Sequence, residues 1–118
     1  MPVKIKNELG AISIEDSVFA SLAGISAMES YGIVGMASKD AKDGLFKLLK
    51  SDLLTKGIKI YIKDNSITID MYVILEYGVK ISAVCENIIN NVKFNIENLT
   101  GFKVDKVNVF VQGIRIEK

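Results

Sequence analysis

Between Gly57 and Gly113 the chain alternates, turns, alternates again and then switches to a helical period, and this succession constrains the fold more than any other stretch. Ile58, Ile60 and Ile62 alternate with Lys59, Tyr61 and Lys63, Asp64-Asn65-Ser66 supplies turn chemistry, and Ile67, Ile69, Met71, Val73 and Leu75 resume on odd positions. The pattern predicts a β-hairpin with one strongly apolar face. Its other face carries Tyr61, Asp70, Tyr72 and Ile74, less polar than a surface meant only for water. Tyr77-Gly78 ends the strand. Ile81, Val84, Cys85, Ile88, Ile89, Val92, Ile96 and Leu99 then recur at i, i+3 and i+4, which predicts a long amphipathic helix. The opposite side of that helix is rich in amides (Asn87, Asn90, Asn91, Asn95, Asn98), and Thr100-Gly101 is a glycine C-cap signal. Val107, Val109 and Val111 give a last strand its core face and leave Asn108, Phe110 and Gln112 on the back, with Gly113 marking a bulge before Ile114 and Ile116.

Upstream the pattern is thinner. Gly10 to Ile14 alternates as a short strand, and Glu15 and Asp16 place carboxylates where a helix N-terminus favours negative charge. The helix is expected to run to about Ser30. Val18, Leu22 and Ile25 form its apolar stripe, and Ala20, Ala23, Gly24 and Ala27 form a neighbouring small-residue stripe. That second stripe suits tight packing on a sheet, with a helix-pairing seam as the alternative. Gly32 to Ala37 follows as another short strand. Lys39 to Lys56 is charge-rich, with a short helix expected through Leu45, Phe46, Leu48 and Leu49.

The 118 residues suit one domain, spanning 1–118, long enough to bury roughly two thirds of its unfolded surface. A net charge of +1 provides no long-range field for a polyanion, which argues against nucleic acid as a partner and against direct binding to an anionic membrane. With no His and a single Cys85, the usual Zn, Cu and haem ligand sets cannot be built within one chain, and no internal disulfide can form. No cofactor or metal site is therefore expected, and a reducing, cytoplasmic location fits. Neither an apolar leader nor a run of about 18 apolar residues is present, so any membrane association is expected to come through a partner. Cys85 falls on the apolar side of its helix, as a packed thiol would, and no Walker or dinucleotide motif occurs. No catalytic residues can be named, and the chain reads as a non-enzyme.

The order strand, helix, strand, short helix, hairpin, long helix, strand implies an α+β two-layer sandwich: a largely antiparallel sheet with helices packed on one face. Tyr61, Tyr72, Ile74 and Phe110 then share the back face, and a contiguous apolar patch there is expected to be an interaction surface, the alternative being that Lys39 to Lys56 folds over it.

The run from Gly57 through Asp70-Met71-Tyr72, Glu76-Tyr77-Gly78-Val79, Thr100-Gly101-Phe102, Val107-Asn108-Val109 and Val111-Gln112-Gly113-Ile114 resembles the alkaline shock protein family of Gram-positive bacteria. Gly10, Ile12, Ile14, Ala27, Glu29 and Gly32-Ile33-Val34-Gly35-Met36 extend the likeness to the N-terminal part, while Ser30-Tyr31 departs from a Pro that often precedes the family's glycine. The chain looks like the short, single-domain type, without the charged tail of longer members. The resemblance implies a cytoplasmic, non-enzymatic protein of cell-envelope stress or homeostasis that self-associates as a homo-oligomer and binds a membrane-anchored protein. The alternative is a small KH-like RNA-binding module. Gly32 and Gly35 spell its G-x-x-G clamp, and Lys39, Lys42, Lys47, Lys50, Lys56, Lys59 and Lys63 outnumber Asp40, Asp43 and Asp52. Its contacts would be Gly32, Gly35, Lys56, Lys59 and Lys63. A KH clamp, however, joins two helices and usually holds a basic residue between its glycines, whereas Ile33 and Val34 are apolar and a strand is expected to follow.

Overall fold

The computed structural model describes residues 3–37, 57–64 and 66–116; the short helix expected between Lys39 and Lys56 lies outside the described residues. In chain order the elements are β1 (Val3–Asn7), β2 (Gly10–Ile14), α1 (Asp16–Met28), β3 (Ile33–Met36), β4 (Ile58–Lys63), β5 (Ser66–Glu76), α2 (Ile81–Thr100) and β6 (Lys103–Arg115).

β5 is the centre of a four-stranded sheet. Its Ile69 has Ile60 on one side and Val107 on the other, and its Val73 has Met36 and Val111. β4 and β3 therefore follow one another along one edge of β5, and β6 takes the whole of the other edge. β4 and β5 form the expected hairpin, with Lys63 opposite Ser66 and Asp64 at φ 50 turning the chain, a conformation that Asp tolerates better than most side chains. β6 runs parallel to β5, because the twenty-residue α2 carries the chain back across the sheet before β6 begins. The expected α+β sandwich is thus present and mostly antiparallel in its pairings, with this one parallel exception.

Alternation decides which face is dry. Ile67, Ile69, Met71, Val73 and Leu75 are fully buried, and α2 lays Val84, Ile88, Val92 and Ile96 over them at a spacing of four residues. Each such side chain moved from water to this interior contributes about 1.5–3 kcal/mol. Phe19 of α1 meets Phe102 edge to face, with ring centroids 6.2 Å apart, and closes the core beside the start of β6. Gly101 ends α2 in the left-handed conformation at φ 78, as its C-cap position required. The link into β6 is held by Glu97, whose carboxylate accepts the Val104 N–H at 2.8 Å. Leu99 and Ile81, assigned by periodicity to the apolar stripe of α2, are instead exposed at the ends of the helix.

α1 packs differently from expectation. Its buried face is Phe19, Ala20, Ala23, Gly24, Ser26 and Ala27, whereas Val18 and Ile25 point outward at 44% and 55% exposure and Leu22 is only partly buried. The small-residue stripe forms the inner face because α1 lies against α2 as well as against the sheet. The amides of α2 supply the polar part of that seam: Asn91 Nδ2 donates to Ser30 Oγ and Asn95 Nδ2 to Ser26 Oγ, each at 3.0 Å. Both acceptors belong to buried serines, so the seam satisfies groups that would otherwise be costly to bury. The helix-pairing reading of the small stripe accounts for this contact.

At the N-terminus the structure holds one strand more than the sequence pattern implies. Gly10–Ile14 is a strand, but its partner is β1, with Ile5 opposite Ile12 and Asn7 opposite Gly10, and the pair forms a two-stranded sheet of its own. The Asn7 side chain caps the turn by accepting the N–H groups of Leu9 at 2.8 Å and Gly10 at 3.2 Å. Ile14 packs against the core, while Gly10 to Ser13 are exposed.

Gly32 has φ +88, and a Cβ built there would lie 2.9 Å from Val84 Cγ2 and 3.3 Å from Val79 Cγ1. Gly101 is also at positive φ but has open space around it. Gly101→Ala is expected to cost about 1 kcal/mol of backbone strain, and Gly32→Ala about 1–2 kcal/mol more, since strain and overpacking add. Urea unfolding of the two variants beside the unaltered chain measures this, and equal losses would show that the approach to Val84 is relaxed at little cost.

Candidate interaction face

The face of the sheet opposite α1 and α2 is built in rows by the register of β5 with its neighbours. Lys63, Ser66 and Lys103 form one row and Tyr61, Thr68 and Lys106 the next, followed by Lys59, Asp70 and Asn108, and then by Tyr72 with Phe110. Gly35, Ile74 and Gly113 make a further row, and Glu76 with Arg115 the last. Tyr72 and Phe110 are stacked, with centroids 5.0 Å apart and planes 17° from parallel. Neighbouring strands hold the two rings in register, so the pair is ordered before any partner arrives. Phe110 stays 41% exposed and Tyr72 is half-buried.

The four aromatic and aliphatic residues expected to form one patch do not lie together. Tyr61 is exposed but sits at the Thr68 position, four residues along β5 from Tyr72, roughly 13 Å at the usual rise of a strand. Between them lies a polar row in which Asn108 Nδ2 donates to Asp70 Oδ1 at 2.8 Å. Ile74 is on the expected face yet is buried, at 7% exposure, with glycines at the paired positions on either side. The exposed apolar centre is therefore the Tyr72–Phe110 stack, with Tyr61 a separate outlier beside an open depression lined by Asp16, Ser17, Ala20, Ile58, Lys59 and Ile60.

The residues of the nucleic-acid alternative are also dispersed. Ile33 to Met36 is strand β3, paired with β5, and the Glu76 N–H donates to Gly32 O at 2.9 Å. Gly32 and Gly35 thus lie in and beside a paired strand and do not form a loop between two helices, so the backbone N–H groups of a KH clamp are not presented there. Lys59 and Lys63 are exposed on the open face, where Asp64 and Asp70 are their neighbours, and Lys56 lies outside the described residues. The basic run is interleaved with carboxylates at its described end.

Cys85 is partly buried against the core, and burial pushes its thiol above the ordinary value. Among the described residues, no helix is long and apolar enough to cross a membrane.

The sequence model of the alkaline shock protein family, described as having a cell envelope-related function, matches residues 4–116. The chain is similar to the uncharacterized protein YloU of Bacillus subtilis, 41% identical over 117 residues that cover 98% of this chain and 98% of that protein. It is 45% identical over 117 residues to the uncharacterized protein Spy1614 of Streptococcus pyogenes, covering 98% of this chain and 97% of that one. A second Bacillus subtilis protein, the uncharacterized YqhY, is 29% identical over 109 residues, 92% of this chain and 80% of its own length. No solved structure matches.

Because the thiolate of Cys85 is disfavoured by burial, its fraction at neutral pH is below that of a free thiol, and alkylation should be slow. Iodoacetamide is expected to react at least about tenfold slower with the folded chain than with the urea-unfolded chain at pH near 7, and the folded rate should keep rising with pH beyond the usual thiol range near 8.5. A folded rate equal to the unfolded one would mean that the thiol is reactive.

Proposed function

This chain belongs to the alkaline shock protein family, whose function is cell envelope-related, and from that premise we propose that it serves cell-envelope stress or homeostasis as a non-enzymatic protein of the cytoplasmic side. It acts by self-association and by binding a membrane-anchored protein, so its place at the envelope comes through that partner. The observation that carries the interaction reading is the Tyr72–Phe110 stack, a pre-ordered aromatic pair on the sheet face that α1 and α2 leave uncovered. Aromatic anchors held in one rotamer bind at low entropic cost, and a few such residues carry most of an interface's energy. The mixed charges around the stack (Lys59, Asp70, Lys106, Glu76 and Arg115) make a polar rim and give little net attraction for a polyanion.

The test is capture of partners from membrane and soluble fractions at low and high salt, using the unaltered chain, Tyr72→Phe and Tyr72→Asp, with folding checked by circular dichroism. A membrane protein should be retained at high salt by the unaltered chain and by Tyr72→Phe. Its affinity for Tyr72→Asp should fall by about thirtyfold or more, the equivalent of roughly 2 kcal/mol at a buried anchor. Recovery of RNA that washes off as salt rises, with no response to position 72, would overturn the proposal in favour of phosphate-driven binding.

A further inference from the structure

Natural sheets protect their free edges with charges, prolines, bulges or covering elements, because an open edge pairs with whatever strand it meets. Among the described residues, two strands each contain a five-residue stretch with no charge, proline or bulge and no partner on one edge. β6 pairs with β5 along one edge, and among the described residues nothing pairs with its other edge. Register shifts interrupt β6 on either side of the stretch from Lys106 to Val111. Within it, Val107-Asn108-Val109-Phe110-Val111 is a regular five-residue segment without charge, glycine or proline.

The second is β2, also five residues long, which among the described residues pairs only with β1 and whose sequence Gly10-Ala11-Ile12-Ser13-Ile14 contains no charge. Its partner β1 carries Lys4 and Lys6 and has the composition of a protected outer edge. An isolated two-stranded hairpin is marginal in water, and here Ile12 is 58% exposed, so the arm needs a third strand. Within one copy, β2 does not pair with β6 among the described residues. Glu15 alone separates β2 from α1, and α1 lies over β3 and β4 on the side of β5 away from β6.

We propose that β2 of one copy adds to the free edge of β6 of a second copy along Val107–Val111, so that the β1–β2 hairpin extends the neighbour's sheet from four strands to six. The segments match in length, both lack charge, and backbone hydrogen bonds supply the attraction while Ile12 gains apolar cover. The contact is heterologous: each copy offers an arm at one end and an edge at the other, so assembly grows head to tail until a ring closes or a filament forms. It uses the edge of the sheet, whereas the partner site proposed above uses its face, so the two can fail separately.

The full-length chain is measured by light scattering coupled to size exclusion in the high micromolar range, beside Ile12→Lys, Asn108→Lys and Tyr72→Asp, all at exposed or half-buried positions and checked by circular dichroism. The unaltered chain and Tyr72→Asp should both run heavier than the 13.0 kDa of one copy. The arm variant Ile12→Lys and the edge variant Asn108→Lys, which keeps the Tyr72–Phe110 stack, should each run as one copy. Mixed in equal amounts, the last two should form a species of about twice the mass of one copy and nothing larger, since one intact arm meets one intact edge. The proposal is overturned by a monomeric unaltered chain, by Ile12→Lys assembling like the unaltered chain, or by a mixture that forms no pair. Loss of assembly in Tyr72→Asp would overturn it too, by moving self-association to the face of the sheet.

Discussion

The structure depends on β5 being paired on both edges at once. An eleven-residue strand with fully buried Ile67, Ile69, Met71, Val73 and Leu75 on one face can be dry only if something lies over that face, and its backbone is satisfied only if both edges have partners. The first demand is met by α2. The second divides the work between short and long strands: β4 and β3 share one edge because neither is long enough to span it, and β6 covers the other alone. The parallel direction of β6 follows from the same arrangement. A helix that must cover β5 along its length returns the chain to the end where β5 began, and the next strand then runs alongside it.

The parts of this design that repeat at a fixed period were legible. Alternation gave the dry face of β4 and β5, the spacing of Val84, Ile88, Val92 and Ile96 gave the inner face of α2, and Gly101 gave its end. What was not legible depended on which neighbour an element meets. In α1, bulk suggested Val18, Leu22 and Ile25 as the inner stripe, yet the approach of α2 favours the small side chains, and Phe19 alone supplies the bulk. The signal was present on the partner helix, where Asn91 and Asn95 repeat at the spacing of Ser26 and Ser30. An amide row facing a serine row is a seam, but single-helix periodicity cannot show it. The strand β1 was missed for a plainer reason: alternation over Val3, Lys4, Ile5 and Lys6 is too short to stand out from a lysine-spotted terminus.

The candidate site was half legible for a related reason. Strand parity placed Tyr61, Tyr72, Ile74 and Phe110 on one face, and that much held. Parity does not give register, and register decides contact. Phe110 meets Tyr72 because β6 pairs with β5 at that position, whereas Tyr61 is carried away along the strand by the tight turn at Asp64. Ile74 illustrates the converse. Glycines at the flanking positions leave it without side-chain neighbours of its own row, yet it is buried, so exposure on this face does not follow from parity alone.

The open face and the open edge of this sheet belong to one constraint. A single layer of two helices can cover only one side of a four-stranded sheet, and a crossover that places β6 last leaves β6 at the margin. Among the described residues this plan leaves one face of the sheet without a covering helix and one edge without a pairing strand, and selection can act on how they are finished. The face is finished with an ordered aromatic pair inside a mixed-charge rim, and the edge with a run of uncharged β-formers from Val107 to Val111. Lysines could have closed either surface at little cost to the fold, as Lys4 and Lys6 do in the composition of β1. The proposed association draws on the run from Val107 to Val111, which holds no lysine although Lys103 and Lys106 precede it, and on the stacking of Tyr72 on Phe110.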